Sequence, residues 1–365
     1  MPGDRIGVGI IGANVRYGWG TRAHLPALVA LPEFEVVGVA TTRMETARET
    51  AEQHAIPNAF DSAQALVEHP DVELVLVCVR VPGHHELTST ALRAGKHVFT
   101  EWPLGANTAE ARELLDLAES AGVRHMVGLQ ARAAPQFVRM QQLIAEGYIG
   151  EVLSATMRQT LPGAGPRRES FAWAVDASQG ASTLSIASGH ALDALAFCLG
   201  EFRSVSANVA TRVGTVEVVD TGRTVDVTSP DTVHVSGETE SGAAVSVAIS
   251  SVPSHGSGLR FEVHGSAGVL LLTSDGMSQI AALTLSGARN GDAAVEELAI
   301  PDDCWWVPRD LVGPGLNVAQ LFRRLGESIR GGDPAVPDFA HAVRRHELLD
   351  AIQRASDTGE RQAFA

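Results

Sequence analysis

The sequence has three cysteines, Cys78, Cys198 and Cys304, and no two are close together. Without a CxxC pair there is neither a disulfide framework nor a zinc spacing, so no metal site is expected and a reducing, cytoplasmic setting fits. No apolar run reaches the ~18 residues a membrane helix needs, so no membrane partner is expected. The first five residues, Met1 to Arg5, lack the basic start and apolar core of a secretory signal, and none is expected. Cations are in short supply: 28 Lys and Arg stand against 43 Asp and Glu, a formal net charge of −15. Phosphate backbones are bound by clustered Lys and Arg, which argues against nucleic acid as a partner. No internal repeat is visible.

What is present is core material. Hydrophobic residues make up 45% of 365, and that length suggests two domains. Short apolar, β-branched runs read as buried strands: Arg5 to Ile11, Phe34 to Ala40, Val72 to Val79, Lys96 to Thr100 and Arg124 to Gly128. Helical stretches alternate with them, at Thr21 to Ala30, Arg43 to His54, His84 to Ala94 and Thr108 to Ala121. Gly95 and Gly122 stand at C-cap positions of two of these. Alternation over ~125 residues implies parallel pairing in a doubly wound sheet. After Gly150 strand-like segments dominate, interrupted by one helix at about Ser185 to Cys198. The expected fold is an α/β Rossmann-type parallel sheet domain (1–128), then an α+β domain with a large, mostly antiparallel open sheet (129–340). A C-terminal helix (341–365) is expected to pack back on the first domain.

The loop after the first strand reads Gly12-Ala13-Asn14-Val15-Arg16-Tyr17-Gly18-Trp19-Gly20. A tight glycine turn between a buried strand and a helix lets the backbone approach a pyrophosphate. A strict GxGxxG is absent, because Asn14 holds the second glycine position. Asn tolerates positive φ better than other non-glycines, so the turn is expected to survive there. Tyr17 and Trp19 are placed to cover the pyrophosphate. At the end of the second strand, where an NAD site carries an acid, the chain has Thr41-Thr42-Arg43. Arg pairs well with a 2′-phosphate, so NADP is expected over NAD; the alternative is that Arg43 is solvated and Glu45 supplies the acid.

The segment Ala94-Gly95-Lys96-His97-Val98-Phe99-Thr100-Glu101-Trp102-Pro103-Leu104 resembles the AGKHV…EKP segment of the glucose–fructose oxidoreductase, inositol dehydrogenase and rhizopine-catabolism (Gfo/Idh/MocA) family. Gly147-Tyr148-Ile149-Gly150-Glu151-Val152 and the stretch from Asp338 to Gly359 fit it too. The resemblance implies a hydride-transferring enzyme that uses NAD(P) on a carbohydrate-like small molecule, assembled as a homodimer or homotetramer. The family pattern has a Lys after the Glu, and an Asp four residues before a His that is followed three later by another Asp. Here His190 and Asp193 match the last two, Trp102 stands at the Lys position, and Ile186 stands at the leading Asp. These departures, with Gly18-Trp19, Gln130 and Arg132, resemble a narrower group that contains the yeast galactose-pathway repressor.

The resemblance implies His190 as acid/base, with Asp193 on the same helix face to orient it. Trp102 is either a wall of the nicotinamide pocket or a core aromatic; an indole cannot replace a Lys charge. Glu101 either contacts the cofactor ribose or is a solvated loop acid. Val79 and His84, after the third strand, are placed along the cofactor crevice, as are Gln130 and Arg132 after the fifth. Trp305-Trp306 is either an interface or pocket lid, or ordinary loop packing. Two functions remain open: an oxidoreductase, or a dinucleotide-binding regulator without turnover.

Overall fold

All six residues of strand β1 (Ile6–Ile11) are buried, as are all four of β4 (Leu74–Val77). Strands so covered on both faces belong to a parallel sheet with helices on each side. The structure, a computed structural model, describes residues 5–15 and 18–364, so Tyr17 lies outside the described residues. Among them, β1, β2 (Phe34–Ala40), β3 (Asn58–Phe60), β4, β5 (His97–Glu101) and β6 (His125–Gly128) form one sheet in the order 3-2-1-4-5-6. Every pair in it is parallel. The chain leaves β1 toward β2 on one side and returns through β4 on the other. The loops after β1 and β4 therefore part, leaving a crevice at the carboxyl ends of the strands.

Packing divides the chain into two units: Met1–Gln130 with Trp306–His346, and Ala131–Trp305 with Glu347–Ala365. The helix Pro314–Ile329 thus belongs with the parallel sheet. Its Phe322 is fully buried, with ring centroids 5.0 Å from Phe99, 5.7 Å from Phe34 and 5.6 Å from His24. Gly326 on the same helix lets it come close: a Cβ there would lie 2.9 Å from Phe34 Cζ.

The second unit is built on β7 (Val152–Pro162), β8 (Phe202–Ala210), β9 (Thr215–Val218), β10 (Arg223–Asp226), β11 (Thr232–Thr239), β12 (Ala244–Val252), β13 (Gly258–Gly265), β14 (Gly268–Ser274), β15 (Thr284–Arg289), β16 (Glu296–Glu297) and β17 (Gln362–Ala363). Nine of them form a sheet in the order 16-15-14-13-7-12-11-8-17, while β9 and β10 pair as a separate hairpin. All neighbours in the large sheet are antiparallel except β7 and β12. Along β7 the buried residues alternate (Ala155, Met157, Gln159, Leu161), the period of a sheet with one covered face. The helices Pro135–Ala145 and Gly189–Leu199 pack against each other in this unit.

Candidate functional site

The glycine turn is set by two requirements. Gly12 has φ +103°, and a Cβ on it would lie 2.6 Å from Val79 Cγ1 and 2.7 Å from the Cys78 carbonyl oxygen. Gly20 has no room either: its Cβ would meet Ala13 Cα and Cys78 Sγ at 2.9 Å. Gly20 therefore supplies the close helix–strand approach that the third glycine of a dinucleotide turn provides. The expectation for Asn14 needs correction. Among the described residues only Ala55 is a non-glycine with positive φ, so Asn14 keeps an ordinary backbone. The left-handed turns fall instead on Gly12 and on Gly18 (φ +125°). The longer loop moves the strain onto glycines and frees the second position. The Thr21 hydroxyl donates to the Asn14 carbonyl (3.1 Å) and approaches that of Gly18 (3.5 Å), drawing the loop mouth together.

The helix after the loop opens as a π-turn, Gly20–His24, and continues as Leu25–Val29. It delivers His24, fully buried, to the end of β5, where Nε2 lies 2.7 Å from Glu101 Oε1. The Gln130 side-chain amide donates to both Glu101 oxygens, at 3.1 and 2.9 Å. Gly128 leaves the space, since a Cβ there would be 2.8 Å from Glu101 Oε1. Glu101 is thus a held carboxylate, its side chain 13% exposed, at the strand ends where the crevice opens. Sequence reading missed His24: it lies 77 residues from Glu101, and no spacing signal joins them.

His84 is buried, with Nδ1 2.6 Å from the Pro103 carbonyl and Nε2 3.1 Å from that of Val79. Burial pushes its pKa down against the pull of those carbonyls. The neutral ring has one N–H, and the shorter contact marks Nδ1 as its donor to Pro103. His84 therefore fastens the Trp102–Pro103 turn, whose peptide is cis, to the loop after β4. Trp102 is 4% exposed and packs its ring 4.8 Å from that of His346. It is a core aromatic on its His346 side. His346, also missed in the sequence, is buried, and its Nε2 has no hydrogen-bond partner among the described residues. Burial lowers its pKa from 6.5 to about 4.

At the far end of the crevice the Thr41 hydroxyl donates to the Arg43 carbonyl (2.8 Å) and meets Thr46 Oγ1 at 2.6 Å. Thr42 and Arg43 are exposed. The loop fits a dinucleotide on its own evidence. Gly12 gives the turn its tight, left-handed backbone, and the buried Trp19 Nε1–H has no acceptor among the described residues. In the first unit Trp306 is covered by the Arg324 guanidinium, 4.3 Å above its ring, which is loop packing.

In the second unit the helix Gly189–Leu199 has every residue buried except Phe197. A charge on such a helix requires a partner. Asp193, 1% exposed, receives Arg132 Nε at 2.8 Å and Nη2 at 2.7 Å, a bidentate pair. Burial works against the Arg132 charge, but the facing carboxylate and its hydrogen bonds outweigh this and hold its pKa above the ordinary value. The Arg132 guanidinium, expected along the cofactor crevice, is thus bound to Asp193. Both Asp193 oxygens, expected to serve His190, accept from Arg132. His190 is 4% exposed, one turn from this pair. Lys96 is the only lysine in the sequence, and its Nζ donates to the Val72 carbonyl at 2.6 Å. No other lysine can stand in for the one that Trp102 replaces.

A 3-2-1-4-5-6 parallel sheet with a glycine turn at its switch point defines the first unit as a Rossmann-type fold. Residues 6–129 match the model of the oxidoreductase family with NAD-binding Rossmann fold, and residues 135–274 match that of the Gal80p C-terminal domain. The chain is 35% identical to Dehydrogenase aclE of Aspergillus oryzae over 216 residues, which is 56% of this chain and 58% of that protein. It is therefore aligned with less than two thirds of that relative's length. It is 27% identical to the galactose/lactose metabolism regulatory protein GAL80 of Kluyveromyces lactis, over 80% of this chain and 70% of that one. The solved structure of levoglucosan dehydrogenase in complex with NADH and L-sorbose shares the fold, with a TM-score of 0.87, 22% identity and 99% of each chain covered. Among the described residues no helix is long and apolar enough to cross a membrane.

Asp193 and His346, both buried, each carry a prediction. Asp193→Asn leaves Arg132 buried without its counter-ion and should cost about 3–5 kcal/mol, read by urea unfolding. The double change Arg132→Met with Asp193→Leu should recover most of that; a loss below about 1 kcal/mol for Asp193→Asn would contradict the pairing. For His346 the folded pKa lies below the unfolded one, so the unfolded chain binds the extra proton. Its stabilising contribution is therefore complete above pH 6.5 and is lost as the pH falls from there through about 4. His346→Leu should flatten the stability–pH curve across that window, and an unchanged slope would count against a neutral buried ring.

Proposed function

We propose that the protein is an NADP-preferring oxidoreductase that interconverts an alcohol and a ketone on a sugar or polyol-like substrate, with His190 as the acid/base. The observation that carries this is the helix of His190. A nearly all-buried helix carries a histidine one turn from a fully buried ion pair, a costly arrangement that core packing alone does not require. Arg132 and Asp193 act as positioning residues: they fix the helix and with it the imidazole. His190 takes the hydroxyl proton when the alcohol is oxidised and returns it in the reverse direction. The bound dinucleotide supplies the hydride acceptor or donor. Gly12, Ala13, Asn14 and Trp19 hold its pyrophosphate, and Val79, His84, Glu101, Trp102 and Gln130 form the crevice wall. Thr42 and the exposed Arg43 face the 2′-phosphate, while Thr41, tied to Arg43 and Thr46, shapes the turn. The open sheet of the second unit serves substrate binding and assembly into a homodimer or homotetramer, as the family resemblance implies. Three free, buried cysteines suit a reducing compartment.

A second reading is favoured by Trp102 and by the GAL80 relative: a dinucleotide-binding regulator that turns nothing over. Steady-state NADPH formation and consumption across a panel of sugars, polyols and their ketones separates the two. The oxidoreductase reading expects turnover with at least one, and a fall in kcat of about 100-fold or more in His190→Ala. Tight cofactor binding with no turnover on any of them sinks it and leaves the regulator.

A further inference from the structure

The second unit contains a cavity of about 460 Å³. Volumes of this size suit small organic ligands. Its walls are mainly apolar, among them Leu161, Val175, Ile186, Val216 and Met277. Most of its polar groups are already satisfied. The Thr183 and Ser251 hydroxyls meet at 2.8 Å, and that of Ser229 donates to the Ala174 carbonyl. Asp231 accepts the Arg212 and Val213 N–H groups and the Thr232 hydroxyl. Asp275 is exposed.

Arg167 is the exception. Its backbone is pinned to the hairpin strand β9 through Glu217 and to Val219 beyond it. Its Nη2 donates to the Gly163 carbonyl at 2.6 Å, but its Nε is buried with no acceptor. No carboxylate among the described residues lies within ion-pair distance of it. Burial lowers its pKa, while the guanidinium stays charged at any working pH. A half-buried cation without a counter-ion, on an apolar wall, is costly, and a carboxylate would remove the cost. Ile186 fits the same logic. It stands where the family resemblance implies an Asp, so the lining carries two carboxylates, Asp231 and the exposed Asp275, and not a third beside the apolar wall.

We propose that this cavity binds a small carboxylate with an apolar body, its acid group on Arg167 and its body against Ile186, Val216 and Met277. The lining turn Thr183–Ser188 runs directly into the helix of His190. Binding of this acid does not rest on the oxidoreductase reading.

The test is calorimetric titration of the full chain with 3-phenylpropanoate and with the neutral 3-phenylpropan-1-ol. The acid should bind saturably and at least tenfold more tightly than the alcohol. Arg167→Met should remove that preference, and Arg167→Lys should keep part of it. If Arg167→Met does not fold by circular dichroism, Ile186→Asp replaces it and should weaken the acid about tenfold more than the alcohol. No saturable binding of the acid, equal binding of the two probes, or a preference that survives the variant overturns the proposal. Turnover is not read here, so a failure of catalysis would overturn the oxidoreductase reading alone.

Discussion

The first unit depends on one close approach, that of Gly12 to the strand beside it. Any side chain there would overlap Val79 and the Cys78 carbonyl, and the backbone needs φ +103° as well. Gly20 repeats the constraint at the far end of the same loop, against Ala13 and Cys78. Because Gly20 lets the helix sit against the strand, His24 reaches Glu101; because Gly128 has no side chain, Glu101 and Gln130 share the remaining space. Three glycines thus fix the position of one carboxylate at the mouth of the crevice. The same contacts that close the sheet build the place where a dinucleotide would lie.

Each unit keeps a charged group out of water, and in each the charge is held. In the first it is Glu101, between an imidazole and an amide. In the second it is Asp193, gripped at both oxygens by Arg132. Replacing such a pair by apolar residues is often neutral or stabilising, so stability alone does not explain its presence. The bidentate fork sits on the helix that carries His190, one turn away.

The fold was legible because periodicity reports burial. Apolar runs such as Phe34–Ala40 and Leu74–Val77 can be read locally, as can the change to shorter strands after Gly150. The strand Asn58–Phe60 was not legible, being three half-buried residues with no alternation to read. Nor was the hairpin of Thr215–Val218 with Arg223–Asp226, whose strands are four residues each. The site was half legible. Gly12, Glu101 and Asp193 lie in recognisable local motifs. Their partners His24, Gln130 and Arg132 are 29 to 77 residues from the groups they hold, so only the folded chain joins them. Asn14 is the instructive case: glycine spacing suggested a strained residue, but the longer loop had moved the strain to Gly12 and Gly18.

The central claim is that the turn from Gly12 to Gly20 holds a nicotinamide dinucleotide. Equilibrium titration of the full chain with NADPH and NADH, followed by quenching of tryptophan fluorescence, tests it most directly. The account predicts saturable binding of both, tighter for NADPH, with that preference lost in Arg43→Ala and binding of either lost in Gly12→Val. Absence of saturable binding by the parent chain, or unchanged binding in Gly12→Val, would contradict it.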